Sequence, residues 1–385
     1  MASDINDKKK SGKLINLGKN VLLLFLSLVF SLCIMEVVLR CYNPMGFRIK
    51  GDKIILPINK KEFIQKPGQL IVNQKNSLGF RGDEPPADFS HWLTIVAVGG
   101  STTECFDLAN EKTWPLVLGK KLKNDFKKLW INNAGLCGHS TFGHSVLIQD
   151  FLSKLKPKVV LFLVGINEMG IDDPRQKDIS LKFASFRSLE RAMASLAIYS
   201  EVAAVSLNIY RYYFHKTTLQ LTSAQDDLRN LIIEVPEKTK LDIIKRHQDS
   251  YVKPYGERLK SLLETTKEKQ IEPVLITQPG CFGNDAVDQV SGINLGKIKP
   301  FRENYIDGDL AWRLLELYNN VTRKIGAEEN VLVIDLAREM PKHLNYYDEF
   351  VHYTDAGAEK VAEIIYNHLK PFLARKYSNY LLPSP

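Results

Sequence analysis

The stretch TIVAVGGSTTEC, residues 94–105, decides the fold. A short, mainly apolar run ends at two glycines, and Ser101 follows where a helical pattern begins. A continuous apolar run of this length is typical of a strand buried on both faces, as in a parallel sheet. The stretch therefore predicts that Ser101 stands at the carboxyl end of a core strand, either as a nucleophile or as a helix cap.

Similar runs recur along the chain. The predicted strands are LTIVAV (93–98), WINNAG (130–135), KVVLFLV (158–164), EPVLIT (272–277) and VLVID (331–335). Helical patterns separate them, and this alternation predicts an α/β fold: a three-layer α/β/α sandwich with a five-stranded parallel sheet and right-handed crossovers. Ligands of such sheets bind beyond the carboxyl ends of the strands, so we expect the chemistry at that edge.

An apolar segment precedes the domain. Residues 21–40 are long enough to cross a bilayer if Glu36 and Arg40 lie near its outer boundary. Lysines in residues 1–20 favour a cytoplasmic N-terminal segment and an extracytoplasmic remainder. The sequence predicts one transmembrane anchor, with a cleaved signal peptide as the rival; no A-x-A-like cleavage site follows.

The rest of the chain divides by pattern. We expect a juxtamembrane lead-in at 41–92, a domain at 93–376 with a helical insertion at about 171–247, and a tail at 377–385. Within the insertion, the apolar stretch 193–214 fits a lid, a partner-docking helix, an element on the membrane surface or a helix on the domain's flank. Exposure of Leu196, Val205 and Ile209 would fit the lid of a lipase acting at the bilayer.

Composition excludes some classes. A chain that is 44% hydrophobic and 25% charged is globular rather than disordered. The net charge is +8; the lysines are spread along the chain, much of the excess lies near the N-terminus, and no nucleic-acid or zinc motif accompanies it. The cysteines of the domain leave two alternatives open, a disulfide between Cys105 and Cys137 or buried free thiols.

Three strand ends and one helix start carry chemically suggestive residues. Ser101, Gly135 and Asn167 follow three successive predicted strands, and His352 precedes a helix in YYDEFVHYTDAG. In these residues and their order the sequence resembles the SGNH hydrolases, the GDSL-type esterase superfamily. The resemblance covers residues 93–374.

The resemblance implies a Ser-His-acid triad. Ser101 would attack an ester carbonyl, and His352 would accept its proton. The oxyanion would be bound by the backbone N–H groups of Ser101 and Gly135 and by the side-chain amide of Asn167. This mechanism needs no cofactor and no metal.

Three positions depart from the family's pattern. Gly100 stands where the name motif has aspartate, and Glu168 stands where aspartate is usual. The family's Asp-x-x-His spacing lands on Glu349, whereas the aspartate, Asp348, lies one residue earlier. Either carboxylate is a candidate for the triad acid.

Other stretches, among them GGSTTEC, NAGLCGHST, NSLGFRG and LITQP, look like a bacterial membrane-anchored subgroup associated with surface polysaccharide. We therefore expect an esterase that removes O-acyl groups, with acetyl preferred, from a cell-envelope glycan. An O-acyltransferase using the same residues and a non-catalytic scaffold that docks a membrane partner are the alternatives. Substrate contact and structural pairing both remain open for Arg81, Thr102, Glu104 and His139.

Overall fold

The strands and helices can be given for most of the chain. The computed structural model describes residues 2–41, 54, 56–66, 68–181, 188–197, 199–213, 217–220, 235–283, 307–348 and 350–383. Parts of the predicted lead-in, insertion and tail, together with Glu349, lie outside these residues.

Eight strands are described. They are β1 (Lys61–Lys66), β2 (Gln69–Gln74), β3 (Leu93–Gly99), β4 (Leu129–Asn133), β5 (Val159–Val164), β6 (Thr217–Gln220), β7 (Glu272–Thr277) and β8 (Leu332–Ile334). Five of them form a parallel sheet in the order β4-β3-β5-β7-β8. The predicted five-stranded parallel sheet is confirmed, with each strand within two residues of its expected ends.

The described α-helices include those that separate the strands of this sheet. They are α1 (Ala2–Cys41), α2 (Ser101–Glu104), α3 (Trp114–Leu122), α4 (Thr141–Leu147), α5 (Ser153–Leu155), α6 (Pro174–Leu181), α7 (Ser188–Ala197), α8 (Glu201–Tyr213), α9 (Glu237–His247), α10 (Lys253–Glu268), α11 (Gly308–Glu328), α12 (Leu336–Glu339) and α13 (Asp355–Lys376). Their alternation with parallel strands gives the predicted α/β sandwich.

The core lies between the sheet and its helices. Every residue of β3, β4 and β5 is buried, because helices cover both faces of a parallel sheet. On one face, Leu93, Ile95 and Ala97 of β3 pack in one cluster with residues of α3 and α13 such as Trp114 and Leu369. This packing holds the carboxyl ends of β3, β4 and β5 at one edge, where the candidate residues follow.

A second, three-stranded sheet has the order β2-β1-β6. β1 pairs antiparallel with β2 and parallel with β6, with Glu62 opposite Thr217. The lead-in thus contributes β1 and β2 to this sheet, and the predicted helical insertion contributes β6 besides its helices. β1 and β6 satisfy each other's backbone hydrogen bonds.

The N-terminal helix and part of the insertion form a compact unit, residues 1–49 and 186–210. Helix Asn16–Cys41 is long and apolar enough to cross a membrane. Within this unit, Leu196 and Ile209 are exposed and Val205 is half-buried. The remaining residues, 50–185 and 211–385, form the other compact unit, which contains both sheets.

The cysteines of the domain are free thiols. Cys105 and Cys281 are buried, whereas Cys137 is exposed. The alternative of a Cys105–Cys137 disulfide is thus absent from the structure. Burial raises the pKa of the Cys105 thiol to about 12.

Candidate active site

Ser101 begins the one-turn helix α2, directly after β3. Gly100 is the N-cap, and its carbonyl accepts the N–H groups of Thr103 and Glu104. The Ser101 N–H lies at the helix start, where no preceding turn supplies an acceptor. Serine therefore presents both a partly exposed hydroxyl and a backbone donor at the sheet edge.

His352 comes from the loop before α13. Tyr347 and Tyr353, both buried, form an antiparallel bridge, and the Asp348 N–H donates to the His352 carbonyl at 2.9 Å. Thr354 then caps α13 by accepting the Gly357 N–H. The loop is closed at its base, and His352 Nε2 lies 2.8 Å from Ser101 Oγ.

Of the two candidate acids, Asp348 is among the described residues. The carboxylate of Asp348 is held by Lys66, with Nζ 3.2 Å from Oδ2, and Lys66 also pairs with Asp107 at 2.8 Å. Partial burial and the neighbouring Asp107 raise the pKa of Asp348, although Lys66 opposes this effect. Glu349 lies outside the described residues.

Asn167 follows β5 in a short 3₁₀ turn, Ile166–Glu168. Its side-chain nitrogen donates to the carbonyl of His139 at 3.0 Å. The same nitrogen would lie 2.1 Å from a Cβ built on Gly100. Glycine at position 100 avoids a close contact with the Asn167 amide.

Gly135 is close to Ser101 along the sheet edge, but its N–H is engaged. It donates to Asn133 Oδ1 at 2.9 Å. A Cβ on Gly135 would lie 2.2 Å from the Glu104 nitrogen, so the residue serves as a close contact between strand end and helix α2. This geometry disagrees with Gly135 as an oxyanion donor, because an N–H already bonded to an amide oxygen cannot also bind an oxyanion well.

The turn after Gly135 is fixed at three points. The Leu136 N–H donates to the Gly99 carbonyl at 3.0 Å, and the Cys137 N–H donates to Glu104 Oε2 at 2.8 Å. The His139 carbonyl accepts from the Asn167 amide. Among the residues that the structure describes, no acceptor faces the N–H of Gly138, the one left between these points.

Glu104 is buried at the end of helix α2. Lys75 Nζ, also buried, lies 2.7 Å from Glu104 Oε1, while the other oxygen accepts from Cys137. Burial opposes ionisation, yet Lys75, Arg81 and the Cys137 N–H together hold the pKa of Glu104 below its ordinary value. Glu104 therefore stands as a carboxylate that links the nucleophile helix to the following turn.

Arg81 closes the other side of that helix. Its guanidinium is fully buried and donates to the carbonyl oxygens of Glu104, Cys105 and Leu108. The carbonyls of Glu104 and Cys105 end the short helix, which leaves them without intrahelical partners, and Leu108 lies in the loop that follows. The structure thus places both Arg81 and Glu104 in structural pairing, and the sequence analysis missed Lys75, whose partner lies about thirty residues away.

The remaining polar residues support the strand ends. Thr102 Oγ1 donates to Gln278 at 3.0 Å, and the ring of His139 is buried. Buried Glu168 accepts from the Thr141 N–H and from Arg258 Nη2 at 2.7 Å. Glu168 accordingly fixes the turn that carries Asn167 and does not face the serine as a reacting group.

An α/β sandwich in which the serine after β3 is hydrogen-bonded to a histidine from the loop before α13 is the arrangement of a serine hydrolase of the SGNH class. The chain belongs to the GDSL-like lipase/acylhydrolase family, whose model matches residues 97–360. It is therefore a serine hydrolase acting on ester bonds.

Several solved structures share parts of this architecture. A lipase/acylhydrolase from Enterococcus faecalis is 15% identical, with 76% of this chain and 99% of that chain covered and a TM-score of 0.39. An acetylxylan esterase from Geobacillus stearothermophilus is 16% identical, with 71% and 93% covered and a TM-score of 0.39. A GDSL-family lipolytic protein from Desulfitobacterium hafniense is 13% identical, with 71% and 98% covered and a TM-score of 0.38. No curated protein sequence matches the chain.

Proposed function

We propose that the protein is a membrane-anchored esterase that removes O-acyl groups, preferentially O-acetyl groups, from a cell-envelope glycan. One observation carries the chemical part of the proposal. The 2.8 Å contact between His352 Nε2 and Ser101 Oγ is the hydrogen bond through which a base activates a serine.

The reaction has two halves. Ser101 Oγ attacks the ester carbonyl while His352 Nε2 takes the hydroxyl proton, and the same proton is passed to the departing glycan oxygen. Water then attacks the acyl-serine with His352 again as base, which releases the acid and restores the serine. No metal or cofactor takes part in these steps.

We assign the triad acid to Glu349. Asp348 is engaged by Lys66 and has a raised pKa, so it is poorly suited to hold an imidazolium. Glu349 has the acid-x-x-His spacing that the resemblance implies. Its carboxylate would fix the second ring nitrogen of His352 as a donor.

The oxyanion site is proposed to use Gly138 in place of Gly135. The Asn167 amide donates one hydrogen to His139 and retains a second. The Ser101 N–H at the start of α2 and the Gly138 N–H in the neighbouring turn supply the other donors. The support for Gly138 is that the flanking N–H groups of Cys137 and His139 are bonded, and Gly135 is bonded to Asn133.

An extracytoplasmic glycan is favoured by the N-terminal segment. The lysines before the apolar span favour a cytoplasmic start, and the enzyme domain follows the span. Retention of the helix is supported by hydrogen bonds from Ser200, Glu201 and Val202 to Glu36, because a cleaved signal peptide would remove their acceptor.

The first test is hydrolysis of p-nitrophenyl acetate by the full chain in detergent. We expect Ser101→Ala and His352→Ala to abolish turnover and Ser101→Ala to abolish labelling by a fluorophosphonate. Ser153→Ala is the matched control, since that hydroxyl only caps a carbonyl in its own helix. Equal activity of Ser101→Ala and the unchanged protein would overturn the proposal.

The substrate is tested separately. Acetate release from O-acetylated envelope polysaccharide, lost in Ser101→Ala, would support the glycan assignment. Transfer of acetyl to an added sugar without release of free acetate would replace hydrolysis by acyl transfer.

A further inference from the structure

Glu36 is a charged residue inside the apolar span, and its carboxylate is paired with groups of the protein. Its carboxylate accepts hydrogen bonds from the Ser200 hydroxyl at 2.9 Å and from the N–H groups of Glu201 and Val202 at 3.0 and 3.1 Å. Arg40, one turn later, pairs with Glu36 at 2.9 Å and also donates to the Tyr199 carbonyl at 2.8 Å. The anchor helix thus holds the first turn of α8.

This contact is local on α1. Within residues 16–41 of that helix, Glu36 and Leu39 alone are partly covered, and every other side chain is exposed. Ionisable groups in a membrane helix are costly unless they are paired, so a paired Glu at this place indicates a built contact. A carboxylate at a helix N-terminus also satisfies the backbone donors that such an end leaves open.

The position of this contact along α1 sets its expected depth in a bilayer. At about 1.5 Å per residue, Glu36 lies about 25 Å along α1 from Lys19, short of a hydrocarbon layer of about 30 Å. With Lys19 at the cytoplasmic boundary, the start of α8 comes within the outer few ångströms of that layer. Interfacial helices bury their apolar faces to about 5–10 Å.

Helix α8 has the surface for such a position. Ala204 and Leu207 on one side are buried, while Val202, Val205 and Ile209 share the other side at helical spacing. No charged residue occurs between Glu201 and Arg211. The uncovered side also carries exposed Ser206, whose hydroxyl donates to the Val202 carbonyl of the same helix. A side that is otherwise apolar and without charge does not match an ordinary water-facing surface helix.

The turn before α8 continues this apolar surface. Leu196 is 62% exposed, Tyr199 76% and Ile209 49%. Tyrosine is enriched at membrane interfaces because its ring is apolar and its hydroxyl is polar. The exposed side chains are therefore of the kind that the outer interface of a bilayer accommodates.

We propose that Leu196, Tyr199 and helix α8 as far as Ile209 lie in the outer interfacial layer of the membrane and bind phospholipid directly, with Glu36 setting their depth. The inference rests on the proposed membrane anchor. It assigns to the insertion a lipid surface as its partner and does not depend on the esterase reaction.

Spin-label accessibility tests it on the full chain in phosphatidylcholine nanodiscs. The exposed Cys33, Cys41 and Cys137 are first replaced by Ala, and single cysteines are then labelled. The labelled positions are Leu196→Cys, Ile209→Cys, Phe25→Cys as a bilayer reference and Lys324→Cys as an exposed helical reference.

We expect labels at positions 196 and 209, like that at 25, to collide severalfold more with oxygen than with a water-soluble nickel chelate, relative to the label at 324. Nickel collisions at 196 and 209 equal to those at 324, with 25 still in lipid, would overturn the inference alone. Nickel access at 25 as well would overturn the anchor. Protection at 196 and 209 from both reagents would indicate a protein partner and also overturn the inference.

The role of Glu36 is tested by a matched pair. Glu36→Leu removes the acceptor, and we expect the label at 209 to become more accessible to nickel. Glu36→Gln keeps an acceptor oxygen and should retain most of the protection. An identical profile for Glu36→Leu and the parent would contradict depth control by this contact.

Discussion

The side-chain nitrogen of Asn167 occupies the space beside Gly100 that any other residue would need for its Cβ, at 2.1 Å from the ideal position. The residue before the nucleophile and the proposed oxyanion donor are therefore coupled by volume. The glycine in GGST thus avoids a close contact between two strand ends.

Replacing Gly100 with Ala should displace the Asn167 amide. We expect kcat for p-nitrophenyl acetate to fall by about 10²–10³, the usual effect of losing one oxyanion donor. Asn167→Ala should fall by a similar factor, and the double variant should fall no further, because both changes remove the same donor. Full additivity of the two losses would contradict this coupling.

Two isosteric changes distinguish the two candidates for the triad acid. Glu349→Gln should reduce kcat by up to about 10⁴, because an uncharged amide no longer fixes the imidazole or stabilises its charged form. Asp348→Asn should retain activity within a fewfold, since that carboxylate pairs with Lys66. Steady-state kinetics of both variants decide the assignment, and the reverse order of losses would give the role to Asp348.

Cys137 lies in the turn that is bonded to Glu104 of the nucleophile helix, and local desolvation together with the Glu104 carboxylate raises the pKa of its thiol to about 11. A methanethiosulfonate that adds a methylthio group should therefore block the serine. Because the thiolate is the reactive form, the inactivation rate should rise about tenfold per pH unit below the pKa. Cys137→Ala should be resistant, whereas Cys41→Ala should remain sensitive; resistance of neither variant would refute the placement.

Ionised Glu104 should make stability depend on acid pH. Its folded pKa lies below the ordinary 4.5, so it stabilises the fold above that pH and the stabilisation is lost as pH falls through the folded value. Glu104→Gln should flatten this acid slope in urea unfolding. Exposed Glu363→Gln is the control, and an unchanged slope in Glu104→Gln would argue against a buried carboxylate.

Removing the partner of Glu104 should be costly at neutral pH. Lys75→Met leaves a buried carboxylate without its cation, and breaking such a pair typically costs about 3–5 kcal/mol. We expect a matching loss in the free energy of unfolding and little change when exposed Lys324 is replaced in the same way. A loss no larger than that of the Lys324 control would contradict the buried pair.

The sheet was predictable because its signal is local. Runs such as KVVLFLV are apolar on both faces, and their ends identify one edge of a parallel sheet. That logic led to Ser101, whereas the resemblance to the SGNH hydrolases led to His352. The two side chains lie 2.8 Å apart although they are 251 positions apart in the sequence.

Which of two glycines has a free backbone N–H for the oxyanion could not be predicted from the local sequence. Gly135 and Gly138 both occur in NAGLCGHST, and only the Asn133 side chain and the Glu104 carboxylate decide which N–H is already bonded. In the same way, the pairing of β1 with β6 depends on strands about 150 residues apart, for which neither short strand carries a distinctive pattern.

The ion pair between Lys75 and Glu104 also constrains how this protein can change over evolution. Lys75 precedes the region that the family model matches, whereas Glu104 lies within it. Loss of either residue alone would leave the other charge unpaired in the interior, so the two positions should vary together among close homologues. We therefore expect the lead-in to be inherited as part of the enzyme, and a lineage that discards it to replace the glutamate beside its nucleophile as well.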